Sequence, residues 1–407
     1  MTRPTSYALV VGSIAAMFAI TAAILLAGCS HSNVASSFAP VAVAEAAGMD
    51  PTSPGLVEEG KQAFRFETFG DEKFWTDTLK MHQVIEKSIA PMTALKTGLK
   101  VDAEVLPPGV LEKADLTSPA TTVALLKLNA IIGLRASVDA ANHITSIGVT
   151  CALCHSSVDD SVMPGVGRRR DGWPNRDLDV GAIIALSPAV PAAKKAIYKS
   201  WGPGKYDPRY NQDGKSTPVL IPPAYGLAGV KNVTYTGDGS ISYWNSYVGV
   251  TQMGGQGNFA DVRLGIDVKH SPDVVTPKLA ALRAYQDSLL TPPDSGRTFD
   301  KDMAALGESV FEKSCASCHV GGSGTDNNTD GKLHTAAETG VNGAYAARSA
   351  SKGYRTTPLR ALSRHAPYFH DGSMGTLEEV VAHYNKVRTL GLTSVQMSNL
   401  VQYLKSR

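Results

Sequence analysis

Surplus charge is missing from this chain. Lys and Arg number 39 against 37 Asp and Glu, a formal net charge of +2, and the pI is near 8.2. That balance leaves no electrostatic footprint for a nucleic acid, and no nucleic acid partner is expected. Cysteine is scarce too, at 5 in 407 residues, so its placement is informative. Histidine is absent between His155 and His270, which empties a long stretch of its most common metal ligand.

Four of the five cysteines fall in two runs, Cys151-Ala-Leu-Cys154-His155 and Cys315-Ala-Ser-Cys318-His319. Each run sets two thiols one helical turn apart, within reach of the two vinyl groups of one haem. The following His is then placed under the iron. Cys-x-x-Cys-His reads as c-type haem attachment. A zinc site would need both pairs to converge on one metal, and a disulfide would give neither His a role. Two covalent haems are therefore expected, attached at Cys151, Cys154, Cys315 and Cys318, with His155 and His319 as iron ligands. The basic run Arg168-Arg169-Arg170 reads as a solvated loop or a haem-propionate contact.

The fifth cysteine closes an apolar run from about Ala8 to Leu26. Leu26-Ala27-Gly28-Cys29 has the form of a lipoprotein signal, with Arg3 as a thin positive start. Cleavage before Cys29 would leave that thiol to carry lipid and anchor the protein to a membrane. An uncleaved spanning anchor is the alternative, since the run is nearly long enough. Either way the body is exported to the periplasm, where c-type haem is attached. Ser30, rather than Asp, after the lipid site points to the outer membrane.

Residues 1–28 are thus read as signal peptide and 29–55 as a Ser-, Ala- and Pro-rich tether. Residues 56–290 form an N-terminal haem domain, 291–300 a turn-rich linker and 301–407 a C-terminal haem domain. The fold class is mainly α, with two cytochrome c-like domains in tandem. Gly307-x-x-x-Phe311-x-x-x-Cys315 puts Gly, an aromatic and the first thiol on one helix face. A last helix over 393–404 opens with a Thr393/Gln396 capping box, and the first and last helices of the domain are the natural pair to cross. Gly60-x-x-x-Phe64 repeats the opening, but its cysteine comes at 151 instead of 68. The displacement is 83 residues, read as a helical insertion over 68–150 that includes a helix over 120–132 and is too long for a plain loop. Residues 279–290 read as the closing helix of the first domain. Thr217-Pro218 recurs as Thr357-Pro358, and Asp238-Gly239-Ser240 recurs as Asp371-Gly372-Ser373, as in an internal duplication.

The stretch from Thr357-Pro-Leu-Arg360 through Pro367-Tyr-Phe-His370-Asp-Gly372 to Thr376-Leu-Glu-Glu-Val380 resembles the bacterial dihaem cytochrome c peroxidase family, including its methylamine-utilisation branch. The specific match covers about forty residues, and the order of the two haem motifs extends it. The resemblance implies two mainly helical domains with the haems at their interface. One haem handles electrons and the other opens a position for peroxide. It also implies a second ligand on the C-terminal haem fourteen residues beyond His370, which is Tyr384. Tyr would favour ferric iron relative to Met. The competing readings are that Tyr384 only packs and that His383 or Met374 ligates. His370 itself is expected to be structural or to support a ligand.

The departures lie in the first half. Gly237 stands where the family has a Trp before Asp-Gly, and Trp244 is a substitute or a packed aromatic. The family's catalytic Glu and Gln have no clear match, and Gln252, Gln256 and Asp261 are the nearest polar candidates. Its His ligand after the first motif is absent. Met163, Met253, His82 and His143 are the alternatives for a sixth ligand on the first haem, and a vacant site is another. Asp326-x-Asn328-x-Asp330-Gly331 copies the start of a calcium loop, but its twelfth position is Ala337 instead of Glu. It reads as a polar surface loop, with calcium a candidate only because the family holds one between domains.

Three functions follow. The first is a peroxidase-like oxidoreductase that takes electrons from a small periplasmic donor protein and reduces hydrogen peroxide. The second is a lipid-anchored dihaem electron carrier with no catalysis. The third is an oxidase of a protein or organic substrate, for which Tyr384 is the sole pointer. The resemblance also makes a homodimer an expectation.

Overall fold

The computed structural model describes residue 50 and residues 52–292 and 298–407. The signal peptide, Cys29 and the tether up to residue 49 lie outside the described residues, as do 293–297 of the linker. The elements that frame the sites are α1 (Pro54–Phe66), α2 (Pro119–Lys127), β1 (Leu134–Val138), β2 (Ile144–Val149), α3 (Ile241–Thr251), α4 (Leu279–Ser288), α5 (Lys301–Ser314), α6 (Leu377–Val387) and α7 (Ser394–Lys405). Helices dominate, and every sheet among the described residues has only two strands.

The same device closes both halves. In the first, α1 packs on α4; in the second, α5 packs on α7. Gly60 lies against the backbone carbonyl of Ala281, and Gly307 against that of Asn399, so close that a Cβ on either glycine would overlap the carbonyl. The aromatics one turn on seal each crossing. Phe64 meets Tyr285 edge-on at 5.5 Å, and Phe311 meets Tyr403 at 5.1 Å. The α7 capping box forms as its sequence suggests: Thr393 N–H donates to Gln396 at 2.9 Å and the Thr393 hydroxyl accepts the Gln396 N–H.

The stretch over 68–150 is not the helical insertion that its pattern suggests. It combines a π-helical turn (Lys73–Thr78), short helices and an antiparallel hairpin of β1 and β2. The helix expected over 120–132 stops at Lys127. Asn129 takes a left-handed φ of 55°, a habitual helix-ending conformation, and Ala130, Ile131 and Ile132 leave the helix to plug the core. Trp75, Ile85, Leu126 and Ile147 from this stretch share one apolar core with Phe64, Tyr247 and Leu282, so it is built into the first half.

The described residues fall within a single compact unit. Val219 packs with Tyr345 and Tyr354, and the Leu220 N–H donates to the His370 carbonyl at 2.7 Å. Arg348 pairs with Asp207 and Asp213 across the same boundary.

Candidate haem-attachment sites

The first motif begins where β2 ends. The Thr150 hydroxyl donates to the carbonyl of Arg65 at 3.1 Å, and its N–H to Gly133 at 2.9 Å, which delivers the chain to the end of α1. Gly133 has φ 82°, and any side chain there would meet the Leu153 backbone. A single helical turn, Ala152–His155, then carries the thiols of Cys151 and Cys154, neither in a disulfide. Burial pushes both thiols up to about 12. The loop is pinned from outside by the Gly172 N–H on the His155 carbonyl and the Asn175 N–H on the Cys154 carbonyl, both at 2.8 Å.

His155 Nδ1 lies 3.1 Å from the Pro222 carbonyl. A carbonyl only accepts, so Nδ1 carries the proton and the lone pair is on Nε2. Burial pulls the imidazole down to about 4, so it is neutral at physiological pH. A neutral ring oriented through Nδ1 is the form that ligates a metal.

The second motif follows α5 directly. Cys315 caps the helix with its N–H on the Phe311 carbonyl at 2.8 Å, and the His319 N–H closes a turn on Cys315 at 3.1 Å. His319 repeats the anchoring, with Nδ1 3.3 Å from the Gly324 carbonyl and burial lowering it to about 4. This loop is more open: Ser317, Gly321 and Gly322 are exposed, and the Cys315 thiol is raised to about 11.

The donor set fits c-type haem. Each loop offers two thiols outside any disulfide, a turn apart, and one neutral imidazole held to a backbone carbonyl through Nδ1; His319 also bonds to the Thr357 backbone. When bound, haem would be held by Cys151, Cys154 and His155 at one site and by Cys315, Cys318 and His319 at the other.

Tyr384, on α6, is placed by burial and by its nearness to Cys318 and Cys315, which together raise its hydroxyl to about 12. Its ring meets those of Phe369 and His383. His383 is engaged elsewhere, with Nε2 2.8 Å from the Thr339 carbonyl. Met374 pairs through its backbone with Tyr368. His370 is buried in a cage of Tyr235, Tyr345 and Tyr354, with Nε2 3.2 Å from the Tyr354 hydroxyl.

In the first half, Met253 is buried in the core and its carbonyl accepts from the Trp75 indole at 3.0 Å. Met163 packs partly buried on the same core. His82 keeps a buried Nδ1 without a partner, whereas the ring of His143 is exposed, 3.7 Å from Glu86. Gln252 Oε1 accepts from the Tyr206 hydroxyl at 2.8 Å, and Tyr206, half-buried against the core of the first half, has its hydroxyl raised by burial and by the Cys154 thiol. Gln256 instead packs over Gly70, with its backbone bonded to Phe69 and Val274. Asp261 is consumed by Arg263 at 2.7 Å and the Tyr243 hydroxyl at 2.6 Å, which hold it ionised. Trp244 is a packed aromatic between Tyr243 and Tyr247.

The stretch over 326–331 is not the free surface loop its composition suggests. Asp326 and Asn327 are buried, and Asn327 and Asn328 bond to Asn232, Lys231 and Gly229 of the first half. Asp326 Oδ2 pairs with His334 Nε2 at 2.9 Å while its Oδ1 is buried without a partner, Asp330 accepts from the Lys332 N–H at 3.0 Å, and Asn327–Asp330 is a helical turn instead of an open loop. The Asp326–His334 pair, missed by sequence reasoning, lies near the Cys318 sulfur. Ligand atoms of Cys318, Asp326 and His334 lie within 4.8 Å of one another.

No protein-family model matches the chain. An aligned stretch of 64 residues is 36% identical to the cytochrome-c peroxidase IdrP1 of Denitromonas iodatirespirans, covering 13% of this chain and 17% of that protein. Among solved structures, hydrazine synthase of Kuenenia stuttgartiensis, pressurised with xenon, aligns at TM-score 0.32 and 18% identity, over 48% of this chain and 74% of that one. A MauG-like protein associated with microbial copper homeostasis aligns at TM-score 0.32 and 19% identity, over 48% and 75%. The chain is mainly helical and presents two Cys-x-x-Cys-His loops, and its local likeness to a cytochrome-c peroxidase spans less than a fifth of that protein's length. Among the described residues no helix is long and apolar enough to cross a membrane.

Proposed function

We propose that the chain is a dihaem c-type cytochrome of periplasmic electron transfer that reduces hydrogen peroxide at its first haem. The observation that carries the reading is the repeated loop: two thiols a turn apart, then a neutral His fixed to a backbone carbonyl through Nδ1, presented twice behind a glycine-closed helix pair. Bound haem supplies electrons and an iron position for peroxide. The more open second loop suits electron entry from a small donor protein, and the enclosed first loop suits chemistry away from bulk water. Reducing one peroxide to two waters takes two electrons and two protons, so a proton-handling group is needed within reach. The Tyr206 phenol, positioned by Gln252 Oε1, is the group proposed to deliver them, since Asp261 is locked with Arg263. Cys29 is proposed to tether the protein to the outer membrane by lipid.

The carrier without catalysis is favoured by two features, the burial of Trp244 in the aromatic core and the presence of Gly237 where the resemblance leads one to expect Trp. Spectra recorded with one-electron reduction and then peroxide separate the two. A high-spin band that appears and is consumed by peroxide supports the peroxidase; two low-spin haems with no turnover for any donor leave the carrier.

A further inference from the structure

Five buried or half-buried arginines of this chain are each paired with carboxylates: Arg65 and Arg169 with Asp171, Arg209 with Asp238, Arg263 with Asp261, and Arg348 with Asp207 and Asp213. Arg176, Arg355 and Arg360 break the pattern. None forms an ion pair with a carboxylate among the described residues. Arg355 is 9% exposed; its Nε donates to the Thr234 carbonyl at 2.8 Å, and its Nη1 is buried with no partner. Arg176 has both Nε and Nη1 buried and unpartnered. Arg360 donates to the carbonyls of Gly226 and Gly322, and burial with no acid beside it lowers its pKa.

Arg176 and Arg355 both act on the Tyr235 phenol, as does the Asp371 carboxylate, and Arg355 feels Arg360. Each also flanks one of the haem loops. Arg176 follows Asn175, whose N–H holds the Cys154 carbonyl. Arg355 is two residues before Thr357, whose backbone faces His319, and Arg360 reaches Gly322 in the second loop. Arg355 is buried and Arg176 and Arg360 are half-buried, and the buried guanidinium atoms of Arg176 and Arg355 that lack a partner are unfavourable unless an anion meets them. Guanidinium forks match carboxylates in particular, and each haem carries two.

We propose that these arginines receive haem propionates, Arg176 from the first haem and Arg355 and Arg360 from the second. Sequence attention falls on Arg168-Arg169-Arg170, yet Arg168 pairs with Asp159, Arg169 with Asp171, and Arg170 lies over Trp173. This assignment rests on the two-haem reading. A cation at the propionates disfavours ferric iron, so the trio raises both potentials.

The wild-type haem count per chain, by pyridine haemochrome assay, comes first: a count below two overturns the two-haem reading without bearing on the arginines. Spectroelectrochemical titration and resonance Raman of Arg355→Gln and Arg176→Gln then test the assignment. Arg355→Gln is expected to shift the reduction equilibrium of the second haem about tenfold toward ferric, or about 59 mV for one electron, and to move its propionate modes. Arg176→Gln is expected to do so at the first haem. Fully loaded variants with both potentials and all propionate modes unchanged overturn the proposal. If a Gln variant does not load, the Lys variant carries the test: it is expected to keep the potential but change the propionate modes, and unchanged modes overturn the proposal.

Discussion

The hydroxyl of Thr150 donates to the carbonyl of Arg65, 3.1 Å away and 85 residues earlier. The chain therefore leaves the end of α1 and returns to the same point before entering the first haem loop. In the second half, α5 runs into Cys315 without any excursion. The detour adds a buried acid, Asp71, whose two oxygens face the Val149 N–H just before the loop.

Burial raises Asp71 from its ordinary 3.8 to about 9. The folded chain keeps a proton that the unfolded chain loses, so stability from this group is full below the unfolded pKa and falls as pH rises toward 9. The slope is about 1.4 kcal/mol per pH unit in that window. Asp71→Asn is expected to flatten the fall, with chemical denaturation at pH 5, 7 and 8.5 as the check. Parallel curves for variant and wild type would refute it.

Gly60→Ala and Gly307→Ala each force a methyl into a carbonyl of the facing helix. Each is expected to cost about 1–3 kcal/mol, with a matching drop in Tm. Gly55→Ala in α1, where only Ser53 comes within 4 Å of a Cβ, is expected to be neutral or mildly stabilising.

Tyr384→Phe removes the hydroxyl beside Cys315 and Cys318 without emptying the space its ring fills. If that oxygen ligates the second haem, the spectrum of that haem changes and its potential rises, while the first haem is unaffected. An unchanged spectrum removes the assignment.

Gln252→Leu and Tyr206→Phe separate proton handling from structure. With haem content preserved, peroxide turnover is expected to fall on the order of 10²–10⁴-fold. Full turnover in both variants would show that the protons come by another route.

The haem loops and framing helices were legible because their signals are local: thiol spacing, Gly-x-x-x-Phe, and the Thr393/Gln396 cap. The detour was legible only as extra length. Its run of Val123, Leu125, Leu126 and Ile131 reads as one helix, although Asn129 breaks it, because a buried loop residue and a buried helical residue are both simply apolar. The arginine trio was invisible, since an arginine's partner is set by the fold. Arg176 and Arg355 are far apart in sequence and look no different from the paired Arg209. Asp326 likewise reads as part of a polar surface loop, whereas the fold buries it against His334.

The most direct test of the central claim is the intact mass of the exported protein, produced with haem-attachment machinery. The wild type is expected to carry two haem additions, and a Cys151→Ala/Cys154→Ala variant or a Cys315→Ala/Cys318→Ala variant one. A wild type carrying none or one, or a double variant that still carries two, would contradict the account.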